Sequence, residues 1–204
     1  MIRVRERPEP ADFDRRVRNP GRTWLAEHPD RRDLHPYWRA CLPDLAFAYK
    51  HVCSYFGTRV SPITGASSTD HFIAKSLDRD QAYEWKNYRF ACARMNAKKG
   101  VAAEVVDPFE VADGCFEIVF STFQVRPSID VEEETRARVT RTIDRLDLNA
   151  HECLEERRYL WSKYKQHGMV KMLIEEAPFL ALEACRQRLL HDHDAKVRCA
   201  DIRA

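Results

Sequence analysis

From Val131 onward the apolar residues of this chain recur at three- and four-residue intervals. Before that point they do so only over short stretches punctuated by Pro, Gly and Asp. A chain built this way must segregate its helices from a small sheet region, so the pattern predicts an α+β fold. Residues 1–35 are rich in Arg, Pro and Asp and lack apolar periodicity. They read as an extended N-terminal arm with at most a short helix, anchored by Trp24 and Leu25. Over 36–53, Trp38, Leu42, Leu45, Ala46, Tyr49 and Val52 predict a helix that kinks or starts at Pro43. A short strand is expected around 69–73, then a polar loop over 75–88 and a helix from Phe90 to Lys99 with Gly100 as its C-cap. Two β-type runs flank Asp113-Gly114, a hairpin signal. Helices are expected over 131–146, over a segment ending near Gln166 with Asn149 and Glu152 as a capping-box-like pair, and over 169–191, broken near Pro178. The expected division is an arm (1–35), an α+β core (36–128) and a helical C-terminal region (129–204).

No apolar run approaches the roughly 18–20 residues of a membrane span. The N-terminal "MIRVRERPEPADFDRRVRNPGR" has no apolar core of a secretory signal. The seven cysteines are odd in number and contain no Cys-x-x-Cys pair. That argues against a disulfide framework and for a reducing, cytoplasmic setting. Net charge is only +2, so the chain is no polycation. Between His71 and Gly100, however, seven Lys or Arg residues face three acids. Such a local excess suits a phosphate backbone, though an ordinary solvated face has the same look.

The stretch "SSTDHFIAKS", Ser67–Ser76, sets a carboxylate beside an imidazole in a β-prone run. Neighbours on a strand point to opposite faces. Asp70 and His71 are therefore poorly placed to bond each other, and well placed to work on two sides of one reacting phosphate. Two asparagines follow, Asn87 sixteen residues after His71 and Asn96 nine further on, and then Lys98-Lys99-Gly100. Phosphodiester hydrolysis needs a base, charge neutralisation and help for the leaving oxygen. Mg²⁺ takes oxygen ligands and keeps several waters. Asp70 can give a carboxylate oxygen and Asn96 an amide oxygen, while a neutral His71 can take a proton from water. Other features read as structural: Asp107-Pro108 as a turn start, Trp85, Tyr88 and Phe90 as packing, and His191-x-His193 as solvated.

The unit Thr69–Gly100 resembles the HNH, or ββα-metal, endonucleases. Asp70-His71-Phe-Ile-Ala-Lys-Ser76 and Asn96-Ala-Lys-Lys99-Gly100 carry the likeness. The resemblance implies a ββα-metal core holding Mg²⁺ or Mn²⁺ on Asp70 and Asn96, with His71 as general base. It makes Asn87 the middle residue of the motif, holding the loop and orienting His71. Lys98 or Lys99, and more weakly Lys75 and Arg89, would contact DNA phosphates. Many such proteins carry a zinc on two Cys-x-x-Cys pairs. Here Cys53 and Cys92 are followed three residues on by Phe56 and Met95, so a structural zinc is not expected and packing takes its place.

A wider likeness rests on "YW…CL.DL…AY…C", "TGASSTDHF", "YEWKNYRFAC", "DPFEV.DG.FE" and "TIDRLDLN". It is to small HNH proteins encoded beside ABC- or AAA-type ATPases in anti-phage loci of the Septu type. It implies an ATPase partner docked by the arm and the C-terminal helices. A homodimer within such a complex could cut both strands. The competing expectation is an HNH-fold scaffold that binds DNA or the ATPase without cutting.

Overall fold

Ser67–His71 (β1) and Tyr88–Cys92 (β2) pair antiparallel in the computed structural model of the chain, which describes residues 1, 3–194 and 196–202. Thr69 faces Phe90, Asp70 faces Arg89 and His71 faces Tyr88. The sequence expectation ran a helix from Phe90; it begins instead at Ala93, and 88–92 is strand. The reason is physical. "YRFAC" is buried at every position but the last, so it lacks the alternation that marks a half-exposed strand. Ala93–Lys99 (α3) follows directly and ends on Gly100 at φ 56°, where a left-handed residue favours glycine. The local order is strand, strand, helix.

The chain divides into two compact units. One holds Glu6–His51 and Val60–Ala103; the other holds Met1–Arg5, Val52–Arg59 and the chain from Glu104 on. This grouping cuts the chain at other places than 35 and 128.

In the first unit the N-terminal segment is helical rather than extended. A π-helical turn, Asp14–Arg18, runs into Asn19–Glu27 (α1). Its anchors are Phe13 and Val17, both wholly buried, whereas Trp24 and Leu25 are half-buried. Phe13 sits edge-on to Trp85 and Tyr88, at 5.6 and 6.0 Å between ring centres. Only two apolar side chains mark this stripe, which is why periodicity missed it. Gly21 completes it: a Cβ there would lie 2.2 Å from the Tyr83 ring. Arg18 and Arg22 bond the two oxygens of Glu84 at 2.9 and 2.7 Å. The expected helix over 36–53 is a 3₁₀ turn, Tyr37–Cys41, then Leu42–Ala48 (α2), with Pro43 in its first turn as the sequence allowed.

The second unit is built on Phe116–Val119 (β3) and Gln124–Pro127 (β4), an antiparallel pair. The hairpin turn is Phe120–Phe123, not Asp113-Gly114, which lies ahead of β3. Side chains occupy both outer edges of this pair. Asn149 accepts from the Val125 N–H at 2.7 Å and donates to its carbonyl at 2.9 Å. Glu183 accepts from the Ile118 N–H at 3.2 Å, and Gln187 donates to the Ile118 carbonyl at 2.8 Å. Asn149 is thus a strand-edge bracket and not the expected N-cap; the cap position belongs to Ala150. Four helices supply the core: Glu133–Leu146 (α4), His151–His167 (α5), Val170–Glu176 (α6) and Pro178–Arg186 (α7). The α4 spacing is legible, with Val139, Thr142, Ile143 and Leu146 all buried on one face. The break at Pro178 and the stop at Gly168 fall where the sequence put them. Asp107 caps its own turn, accepting from the Phe109 N–H at 2.9 Å.

Cys185 and Cys199 form a disulfide, a pairing that the odd cysteine count and the lack of a Cys-x-x-Cys pair did not lead one to expect. No helix among the described residues is long and apolar enough to cross a membrane.

Candidate functional site

Asp70 and His71 end β1, and the sixteen residues Phe72–Asn87 connect them to β2. Asn87 organises that connection. Its side chain accepts from the Ile73 N–H at 2.7 Å and donates to the Ile73 and Gln81 carbonyls, each at 3.0 Å. The Asn87 carbonyl accepts from the Phe72 N–H at 2.8 Å. These bonds fix a 3₁₀ turn, Asp80–Tyr83, with the Ala82 carbonyl aimed at the histidine. His71 Nε2 lies 2.9 Å from that oxygen. A carbonyl only accepts, so Nε2 carries the proton and the lone pair of the neutral ring sits on Nδ1. The Tyr88 hydroxyl donates to the same oxygen at 2.8 Å.

His71 is 7% exposed, with Trp38 and Tyr88 edge-on to its ring. Burial pushes its pKa down to about 3, helped by the Lys75 and Lys99 charges and opposed by the bond to Ala82. The imidazole is therefore neutral at physiological pH.

A cleft of about 670 Å³ opens here. Asp70, His71, Lys75 and Asn96 all line it, so four of the eight residues singled out from the sequence share one cavity. Trp38, Arg32 and Arg39 line it too; no motif spacing pointed to them. Asn96 stands on α3 and donates to Ser68 Oγ at 3.1 Å, and Ser68 Oγ donates to the Ala91 carbonyl at 3.1 Å. The Asn96 amide nitrogen is the donor in that chain, and the amide oxygen is the group of this side chain that can accept.

The other four residues do different work. Asn87 is 4% exposed and holds the loop; it does not line the cleft. Lys99 is wholly buried, donating to Asp70 Oδ1 at 3.3 Å and to the His71 carbonyl at 2.9 Å. It therefore cannot reach a bound phosphate, contrary to the sequence expectation. Arg89 is also corrected: it is 3% exposed, donates to the Lys86 and Tyr88 carbonyls at 2.7 and 3.0 Å, and lies over the Phe72 ring. Charge in a sequence does not tell burial, and both cations are internal ties. Lys98 is exposed but lies outside the cleft lining. Trp85, Tyr88 and Phe90 are buried packing residues.

Among the described residues no group of three or more His, Cys, Asp or Glu side chains is placed to hold a metal. Asp70 and Asn96 offer one carboxylate and one amide oxygen to the same cleft. Such a lean oxygen set fits Mg²⁺ or Mn²⁺, which fill their remaining positions with water and substrate phosphate. It is not the closed four-ligand sulfur and nitrogen set of a structural zinc. Phe56 and Met95, at the positions of absent zinc ligands, are both buried.

Compared with known protein families the chain matches none, and no curated protein matches it either.

Proposed function

We propose that this chain is a metal-dependent endonuclease of the HNH kind that hydrolyses DNA phosphodiester bonds. The observation that carries the reading is the state of His71: a neutral imidazole, tautomer fixed by the Ala82 carbonyl, in one cleft with Asp70 and Asn96. In that role His71 Nδ1 takes the proton from the attacking water. A base with so low a pKa is weak when the cleft is empty. A phosphodiester entering the cleft brings a negative charge, which favours the protonated ring and strengthens the base. Asp70 and Asn96 hold the metal, which when bound supplies neutralisation of charge on the phosphoryl group. Lys75 adds a cation on the cleft wall. Asn87 and Tyr88 act through the 80–83 turn and are positioning residues. By the wider resemblance the enzyme works in the cytoplasm, with an ABC- or AAA-type ATPase, in anti-phage defence, as a monomer or a homodimer.

One observation favours a second reading. Lys99 gives Asp70 a buried ionic partner that needs no metal. On that reading Asp70 is a structural residue and the unit is a non-cutting scaffold for DNA or the ATPase.

Cleavage of supercoiled plasmid by the purified chain, with Mg²⁺, Mn²⁺ or EDTA and with or without a neighbouring ATPase, separates the two. Metal-dependent nicking or linearisation that vanishes in His71→Ala is the expected result. Cleavage by His71→Ala equal to the parent removes the proposed base. Absence of cutting under every condition puts the scaffold first.

A further inference from the structure

Most arginines on the N-terminal helical segment are neutralised. Arg16 bonds Asp44 at 2.6 Å, and Arg18 and Arg22 bond Glu84. The segment immediately after it behaves differently. Arg32 and Arg39 line the cleft together with Lys75, and among the described residues none of the three makes an ion pair. Lys75 instead lies over the Trp38 ring at 4.5 Å. Burial lowers its pKa, the neighbouring Arg39 charge lowers it further, and the Asp70 charge opposes both.

A second hollow of about 420 Å³ adjoins the first and shares Arg32, Lys75 and Ser76 with it. Asp30, Arg31 and Arg79 complete its lining. Arg79 bonds the Pro29 and His28 carbonyls and so fixes the backbone that forms the wall. Its Nε is buried with no acceptor. Arg31 makes no ion pair among the described residues, and Asp30 is the only acid in the lining. Across the two hollows Arg31, Arg32, Arg39, Lys75 and Arg79 outnumber the two acids Asp30 and Asp70, and such an excess of like charge is relieved when an anion enters.

We propose that Arg31, Arg32, Arg39 and Lys75 form a phosphate track. Arg39 and Lys75 hold the phosphate in the cleft, and Arg31 and Arg32 hold the next one on the same DNA strand. Residues 28–39, expected from sequence to be part of an arm and a helix, are thus a strand-holding element. This inference rests on the nucleic-acid reading above but not on cleavage.

The test is fluorescence anisotropy with a labelled 20-nucleotide DNA, single-stranded and duplex, in EDTA and across a salt series. The chain is compared with Arg32→Ala, the double variant Arg31→Ala/Arg39→Ala, and Arg22→Ala as a paired-arginine control, with thermal melts to check folding. Each lost phosphate contact should lower the slope of log affinity against log salt by about 0.7 on single strands and about 0.9 on duplex. Arg22→Ala should bind as the parent does. Parent-like slopes in both track variants overturn the proposal. So does a failure of the parent chain to bind at low salt, or equal displacement by poly-glutamate of matched charge. Track-dependent binding with no cleavage in Mg²⁺ or Mn²⁺, with or without a neighbouring ATPase, leaves the track standing and puts the scaffold reading first. Cleavage dependent on His71, with unaltered binding by the track variants, does the reverse.

Discussion

Asn87 and Asn149 do the same thing in different units. Each brackets a single residue, one accepting from and donating to Ile73, the other Val125. Around Asn149 that is the whole job: it satisfies the edge of a two-stranded sheet closed by the short turn Phe120–Phe123. Around Asn87 there is one more bond, to the Gln81 carbonyl, and the strands are joined by all of Phe72–Asn87. A hairpin needs only a few residues to turn, so a connection of that length is retained for something besides stability. What it adds is the turn that holds His71. Side-chain chemistry is common to both units, and a placed functional group belongs to one of them.

Variants should therefore divide into those that remove cleavage and those that remove only stability. The largest effect is expected for His71→Ala, a loss of about 10²–10⁴-fold in plasmid cleavage. Its melting temperature should fall as well, because truncating a buried ring packed against Trp38 and Tyr88 leaves a cavity, so cleavage is compared per folded molecule. Lys99→Met comes next. It removes the cation 3.3 Å from the buried Asp70 carboxylate, and denaturant melts should show a loss of about 3–5 kcal/mol. Asn87→Ala and Asn149→Ala test the comparison directly. The first should cost about 3 kcal/mol and reduce cleavage per folded molecule. The second should cost about 2 kcal/mol and leave cleavage per folded molecule intact. Equal effects on cleavage would dissolve the distinction between the two brackets.

Acid sharpens it further. His71 stays neutral in the folded chain down to about pH 3, whereas its unfolded counterpart takes a proton near its ordinary value of 6.5. Its contribution to stability is thus complete above pH 6.5 and is lost as pH falls toward 3. Urea midpoints at pH 7.5, 5.5 and 4.5 should fall more steeply for the parent than for His71→Gln. The smallest change is expected for Arg157→Met in the second unit. Arg157 is buried with one bond to the Phe123 carbonyl at 3.1 Å, a Phe56 ring beneath it and an unsatisfied Nε. Replacing so poorly compensated a cation with an apolar side chain should alter stability by no more than about 1 kcal/mol. A loss as large as that of Lys99→Met would show the two buried cations to be equivalent.

Much of the site could be read in the sequence because its signals are local. Asp70-His71 lie in a short β-prone run, Asn96 falls on the next helix, and Gly100 ends that helix. The α4 stripe was equally plain. The rest depended on tertiary placement. Lys99 and Arg89 are written as surface cations and folded as internal ones. Tyr88–Cys92 is apolar at nearly every position, so no period separated strand from helix. Arg32 and Arg39 reach the cleft from a segment that shares no spacing with the motif. Asn149 resembled a helix cap because caps and strand-edge brackets use the same amide.

The Ala82 carbonyl has a consequence of another kind. The atom that sets which nitrogen of His71 carries the proton belongs to the main chain, so the genetic code has no letter for it. A mutational scan passes over it, and a library at position 82 reports only that the wholly buried methyl group has no room to grow. Semisynthesis can address it. An ester in place of the amide between residues 82 and 83 keeps every side chain and makes that oxygen a poorer acceptor. The result would be a histidine freed to exchange its tautomers inside an otherwise unaltered protein.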